Sequence, residues 1–171
     1  MKNSVKVLLI TALLSLFMAS SCSDDSTGPD IPDKGTISGT VTFTGTWPAT
    51  GEIQVSLWTA LDPTTYAPTG APAGATEAIA QTGSYEFSFE GLDDGEYVAI
   101  YVGWRDPADP TGARLLGMYW TNPSDAGVVE LEVAPGVFVT APVAAPSTIT
   151  VSESNRVVSN VNITANLDLW Q

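Results

Sequence analysis

Ser84-Tyr-Glu-Phe-Ser-Phe-Glu-Gly-Leu-Asp-Asp-Gly-Glu-Tyr-Val-Ala-Ile-Tyr-Val-Gly-Trp104 is the stretch that decides the fold class. Tyr85, Phe87 and Phe89 alternate with Glu86, Ser88 and Glu90, the period-2 pattern of a strand with one buried face. Gly91 to Gly95 then offers turn chemistry, with Asp94-Gly95 suited to positive φ angles. Tyr97 to Trp104 is apolar at nearly every position, as in a strand covered on both faces. Read alone, the stretch is a β-hairpin at the centre of two packed sheets. Its first strand meets Tyr97, Ala99 and Tyr101 in the core. Val98, Ile100, Val102 and Trp104 form a second apolar row that needs another cover.

Outward from this hairpin the same alternation recurs. Ile37, Gly39, Val41 and Phe43 face one way, and Ser38, Thr40, Thr42 and Thr44 the other. Ile53, Val55 and Leu57 give a second inward face, with Gln54, Ser56 and Trp58 outward. Thr59 to Gly83, rich in Pro, Ala, Thr and Gly, reads as a long loop with one short strand near residues 76–81. Arg105 to Gly112 is loop. Residues 115–120, 128–133, 137–140, 148–151 and 157–164 are further strand candidates, and no stretch carries an amphipathic helix of ten residues. The loop from Thr59 to Gly83, or Leu115 to Trp120, is the expected cover for the Trp104 row.

The pattern Tyr85-x-Phe87-x-x-x-x-Leu92-x-x-Gly95-x-Tyr97-x-Ala99 resembles the signature of bacterial prealbumin-like modules, which include carboxypeptidase-regulatory-like and Cna-B-like domains. Gly35-Thr-Ile-Ser-Gly-Thr-Val-Thr-Phe43 resembles the first strand of that family. The resemblance covers residues 35–104. It implies an all-β domain, a single antiparallel β-sandwich of prealbumin or Ig-like type over residues 35–171. It also implies a non-enzymatic part of an extracytoplasmic protein.

The start of the chain points to the same compartment. Lys2 and Lys6 precede the apolar run Val7 to Met18, too short for a bilayer span and suited to a secretory signal. Ala19-Ser-Ser21 and the only cysteine, Cys22, follow, and the whole resembles a bacterial lipoprotein signal. Residues 1–21 are then the leader, Cys22 the lipidated residue that holds the chain to a membrane, and 22–34 an acidic flexible tether. A lone cysteine in an exported protein closes no internal disulfide, which favours acylation over a free thiol. The expected location is the bacterial envelope, at the outer membrane and facing either side of it.

Hydrophobic residues make up 44% of the 171 positions and charged ones 15%, enough apolar material for one real core. Nineteen acidic residues against six basic ones give a formal charge of −13, a field that repels phosphate backbones and disfavours nucleic acid. The chain has no histidine, which removes Ser-His-Asp and Cys-His catalysis and His-containing zinc sites. No catalytic set stands out, so the chain reads as a non-enzyme with no cofactor. Asp93, Asp94, Asp106 and Asp109 offer hard oxygens for calcium, but Asp also favours the turns in which these sit. Trp58, Trp104 and Trp120 are candidates for stacking on a glycan or gripping an envelope protein, unless the Pro-rich loops bury them. The reading favoured by all this is a structural, adhesion or protein-binding lipoprotein, with a glycan-binding accessory role as the alternative.

Overall fold

A computed structural model describes residues 33–106 and 108–170. The leader expected at residues 1–21, Cys22 and all but the last two residues of the expected tether lie outside the described residues. Twelve strands follow in order among the described residues: β1 (Gly35–Thr44), β2 (Glu52–Trp58), β3 (Gly74–Ala75), β4 (Ser84–Leu92), β5 (Gly95–Tyr97), β6 (Ala99–Asp106), β7 (Asp109–Met118), β8 (Val128–Ala134), β9 (Val137–Pro142), β10 (Ile149–Val151), β11 (Val157–Val158) and β12 (Ile163–Asn166). A 3-10 turn, Leu167–Trp170, follows β12.

Two sheets face each other. In the first, β1 is central, antiparallel to β4 on one side and parallel to β11 and β12 on the other. The second is antiparallel throughout, in the order β3-β2-β6-β7. Between them lie Ile37, Val41, Phe87, Phe89 and Ile163 from the first sheet and Ile53, Val55, Leu57, Ile100, Val102 and Leu116 from the second, all buried. Burying each such side chain stabilises by about 1.5–3 kcal/mol before chain entropy is charged against it. The all-β sandwich expected from the alternating pattern is the architecture found.

Gly39 shows how tightly β1 is held. A Cβ there would sit 1.8 Å from the carbonyl oxygen of Val161, where the chain runs up to β12. The amide of Val161 in turn donates to the carbonyl of Ser38 at 3.1 Å. Only a residue without a side chain fits that approach.

The central stretch is not a hairpin. β4 bonds to β1, while β6 bonds to β2 and β7, so residues 84–104 carry the chain from one sheet to the other. Gly91, at φ 70°, turns the chain away, whereas Gly95, at 158°, is close to extended. β5 pairs with β10 in passing, and the amide of Val98 donates to the carbonyl of Trp58 before β6 begins. The crossover inverts the expected faces. Ile100, Val102 and Trp104 stand opposite Leu57, Val55 and Ile53, the inward row of β2, and join the inter-sheet core. Ala99 and Tyr101 face the other way and form a smaller apolar cluster with Met118. Trp104 is buried, at 8% exposure, as part of the inter-sheet core, with the loop residues Thr50 and Gly51 against its indole.

Three smaller expectations are also corrected. The short strand placed at 76–81 lies at Gly74–Ala75, and the chain after it stays on the edge of β2 through Thr76 N–H to Val55 O and Ile79 N–H to Ile53 O. The loop placed at 105–112 is a tight turn, because Asp106 and Asp109 are already paired in the ladder. The run 157–164 is broken around Asn160, whose φ is 61°, giving β11 and β12 in place of one strand.

Candidate functional site

The outward face of the second sheet is the floor of a cleft of about 490 Å3. β2 gives Gln54, Ser56 and Trp58 to the lining, β6 gives Tyr101 and Gly103, and β7 gives Ala113, Arg114 and Leu115. The sequence produces this face by the same alternation that builds the core. Ser56 stands opposite Tyr101, and Tyr101 opposite Met118, so the residues skipped by the core row project together.

Two walls rise from that floor. One is the loop carrying Thr65, Tyr66, Ala67, Pro68 and Pro72. Asp62 shapes it: its Oδ1 accepts from Thr64 N at 2.9 Å, Thr65 N at 2.8 Å and Thr65 Oγ1 at 3.0 Å. These bonds hold the Asp62 carboxyl below its ordinary value, the Thr65 amide contributing most. The loop closes with Tyr66 N–H on Asp62 O and Asp62 N–H on Ala67 O, both 2.9 Å, leaving Tyr66 at φ 56°. Tyr101 then donates its hydroxyl to the Tyr66 carbonyl and ties the loop to the sheet. Burial pushes the Tyr101 phenol above its ordinary value, which keeps it in the hydrogen-donating form at neutral pH.

The other wall is the β8–β9 hairpin, which brings Val139, Thr140 and Pro142 to the lining. Its bond to the sheet is Leu115 N–H to Thr140 Oγ1 at 2.7 Å. Val129, Leu131, Val137, Phe138, Val139 and the following Val143 are exposed. Nearly all the exposed large apolar side chains among the described residues therefore sit on or beside this hairpin.

The three tryptophans do not form one platform. Trp58 is half-buried on the floor of the cleft, with its Nε1–H on Ser56 Oγ at 2.8 Å. Trp104 reaches the end of the cleft, but its ring belongs to the inter-sheet core and its Nε1–H donates to Thr50 O at 2.9 Å. Trp120 lines a different cavity of about 530 Å3 with Met118, Val128 and Asn162, and its Nε1–H donates to Ala144 O at 3.2 Å. Tyr66, Arg105 and Arg114 were not singled out by the sequence. Only the outward parity of Gln54, Ser56 and Trp58 signalled this face in advance.

The calcium candidates are dispersed. Asp93 is paired with Lys34, and Asp94 with Arg156 at 2.6 Å. The Lys34 ammonium draws the Asp93 carboxyl below its usual range by hydrogen bond and charge. Asp106 Oδ1 accepts from the Ala108 amide at 2.8 Å, closing the turn to Asp109. No group of three or more acidic or thiol side chains with metal-ligand geometry occurs among the described residues. Cys22, the lipidation candidate, lies outside them. None of the described helices is long and apolar enough to cross a membrane. No protein-family model matches the chain, and neither does any curated protein or solved structure.

Proposed function

We propose that this protein is a non-enzymatic binding lipoprotein of the bacterial envelope, related to the prealbumin-like modules and held to a membrane through Cys22. The cleft above β2, β6 and β7 is its ligand site and a saccharide its ligand. One observation carries the reading: Trp58, Tyr66 and Tyr101 share a cleft with Gln54, Ser56 and Thr65. Sugar rings offer an apolar C–H face to aromatic rings and hydroxyl groups to short polar side chains, so this mixture suits them. The volume lies within the usual range for small-ligand pockets, roughly 300–1,000 Å3. With the wild-type chain purified in mild detergent, a panel of neutral and acidic oligosaccharides should shift tryptophan emission, and Trp58→Ala should remove the shift. An unchanged shift in that variant would place the ligand elsewhere.

A second reading has its own support. The exposed valines, Leu131 and Phe138 of the β8–β9 hairpin suit adhesion to an envelope protein. Leu131→Ser with Phe138→Ser should then abolish capture of that partner while leaving saccharide binding intact.

A further inference from the structure

The charges around the cleft differ from those of the protein as a whole. Nineteen acidic residues give the chain a formal charge of −13, yet no carboxylate lines this cleft among the described residues. Outside the leader the chain has four basic residues, and two of them, Arg105 and Arg114, are in the lining. Lys34 and Arg156 sit at the far end of β1 and are neutralised by Asp93 and Asp94. Arg105 is an exposed residue paired with Glu52 at 3.2 Å. Arg114 differs from the other three in having no ion pair among the described residues; its buried Nε, like that of Arg156, has no hydrogen-bond acceptor.

A buried guanidinium nitrogen without an acceptor is costly, because it has given up water and received nothing in return. Most such groups in folded proteins are satisfied. An arginine without an ion pair, at the wall of a cleft that no carboxylate lines, can receive a planar anion, since its fork matches a carboxylate with two parallel bonds. The neighbouring cavity, lined with Trp120, Asn162 and Asn166, contains no charged side chain among its lining residues and offers no such contrast.

On the reading of the cleft as a saccharide site, we infer that its ligand is an acidic sugar whose single carboxylate is received by Arg114 while its ring lies against Trp58. Hexuronates are the chemical class. The overall negative field narrows the choice further. A polysulfated or polyphosphorylated chain would meet repulsion along its whole length, whereas one carboxylate enters a local positive site that dominates at short range. Arg105 is already paired with Glu52, which leaves Arg114 as the arginine of the lining without an ion pair.

The test uses disaccharides paired with neutral twins in which hydroxymethyl groups stand in place of carboxylates: cellobiouronate, with one carboxylate, against cellobiose, and digalacturonate, with two, against digalactose. Calorimetric titration of the full-length protein should show at least one uronate binding about tenfold tighter than its neutral twin, the increment of a charge-assisted pair. Arg114→Gln should bring the uronate down to the neutral level, and Trp58→Ala should weaken both. If acid and neutral sugars bind alike and Arg114→Gln changes neither, the anionic inference is overturned while the saccharide reading stands. If no member of any pair binds, both fall. Should Arg114→Gln fail to fold, Arg114→Lys keeps the charge but loses the fork. Undiminished preference for the uronate in that variant would overturn bidentate recognition by Arg114.

Discussion

The hydroxyl of Tyr101 donates to the main-chain carbonyl of Tyr66, so a side chain from the middle of a sheet holds a loop thirty-five positions away in sequence. The acceptor is itself unusual. Tyr66 has φ 56°, a conformation that costs a bulky residue on the order of 1 kcal/mol or more and persists only when its surroundings hold it. Tyr101→Phe keeps the ring and removes the donor. It should lower stability by about 1–2 kcal/mol in urea denaturation, and hydrogen exchange should accelerate at Asp62, Tyr66 and Ala67. Unaltered exchange there would mean that the loop is held by its own bonds alone.

Acid should act on the same loop through Asp62. Its carboxyl is held below the ordinary value by the Thr65 and Thr64 amides, so its contribution to stability is present above the ordinary carboxylate pKa and is lost as pH falls through the lowered one. Asp62→Ala should therefore melt below wild type at neutral pH, and the two curves should converge as pH falls from about 7 to about 2. A gap that stays constant across that range would exclude the ionised cap as its source.

The approach of β1 to the segment before β12 predicts a sharp contrast within one strand. Gly39→Ala would drive a methyl group into the Val161 carbonyl and should cost more than about 2 kcal/mol, because backbone must move. Thr42→Ser, three residues on and exposed, should change stability by about 0.5 kcal/mol or less. Equal effects at the two positions would show that the strands separate easily.

Tryptophan quenching separates the core ring from the cleft ring. In variants that keep one tryptophan and carry phenylalanine at the other four positions, iodide should leave Trp104 largely unquenched and should quench Trp58 substantially. Free quenching of Trp104 in the folded monomer would contradict its place between the sheets.

Much of this architecture could be read in the alternation of apolar and polar residues, and the limits have a definite cause. Ile37, Val41, Ile53, Val55, Leu57, Phe87 and Phe89 all lie where period-2 reading puts them, since each belongs to a strand with one wet face. Tyr97 to Trp104 could not be oriented that way, because both of its rows are apolar and either could face the core. The choice depended on which strand β6 joins, a long-range pairing with β2 that local sequence does not encode. The cleft was half legible for the same reason. Trp58 stood out as an aromatic ring on a polar row, whereas Tyr101 looked like core and Arg114 had no pattern around it.

The placement of β1 bears on mechanics. It enters the domain as the central strand of its sheet, bonded to β4 along one side and to β11 and β12 along the other. A pull on the chain ahead of Gly35 is directed along β1, across its bonds to both neighbours. Those bonds are then loaded together in shear, instead of opening one at a time as they would on an edge strand peeled from its end. Resistance to such a pull is set by the rate of unfolding, not by equilibrium stability. The strand that joins the domain to whatever precedes it is thus the one whose extraction requires both flanking ladders to break at once.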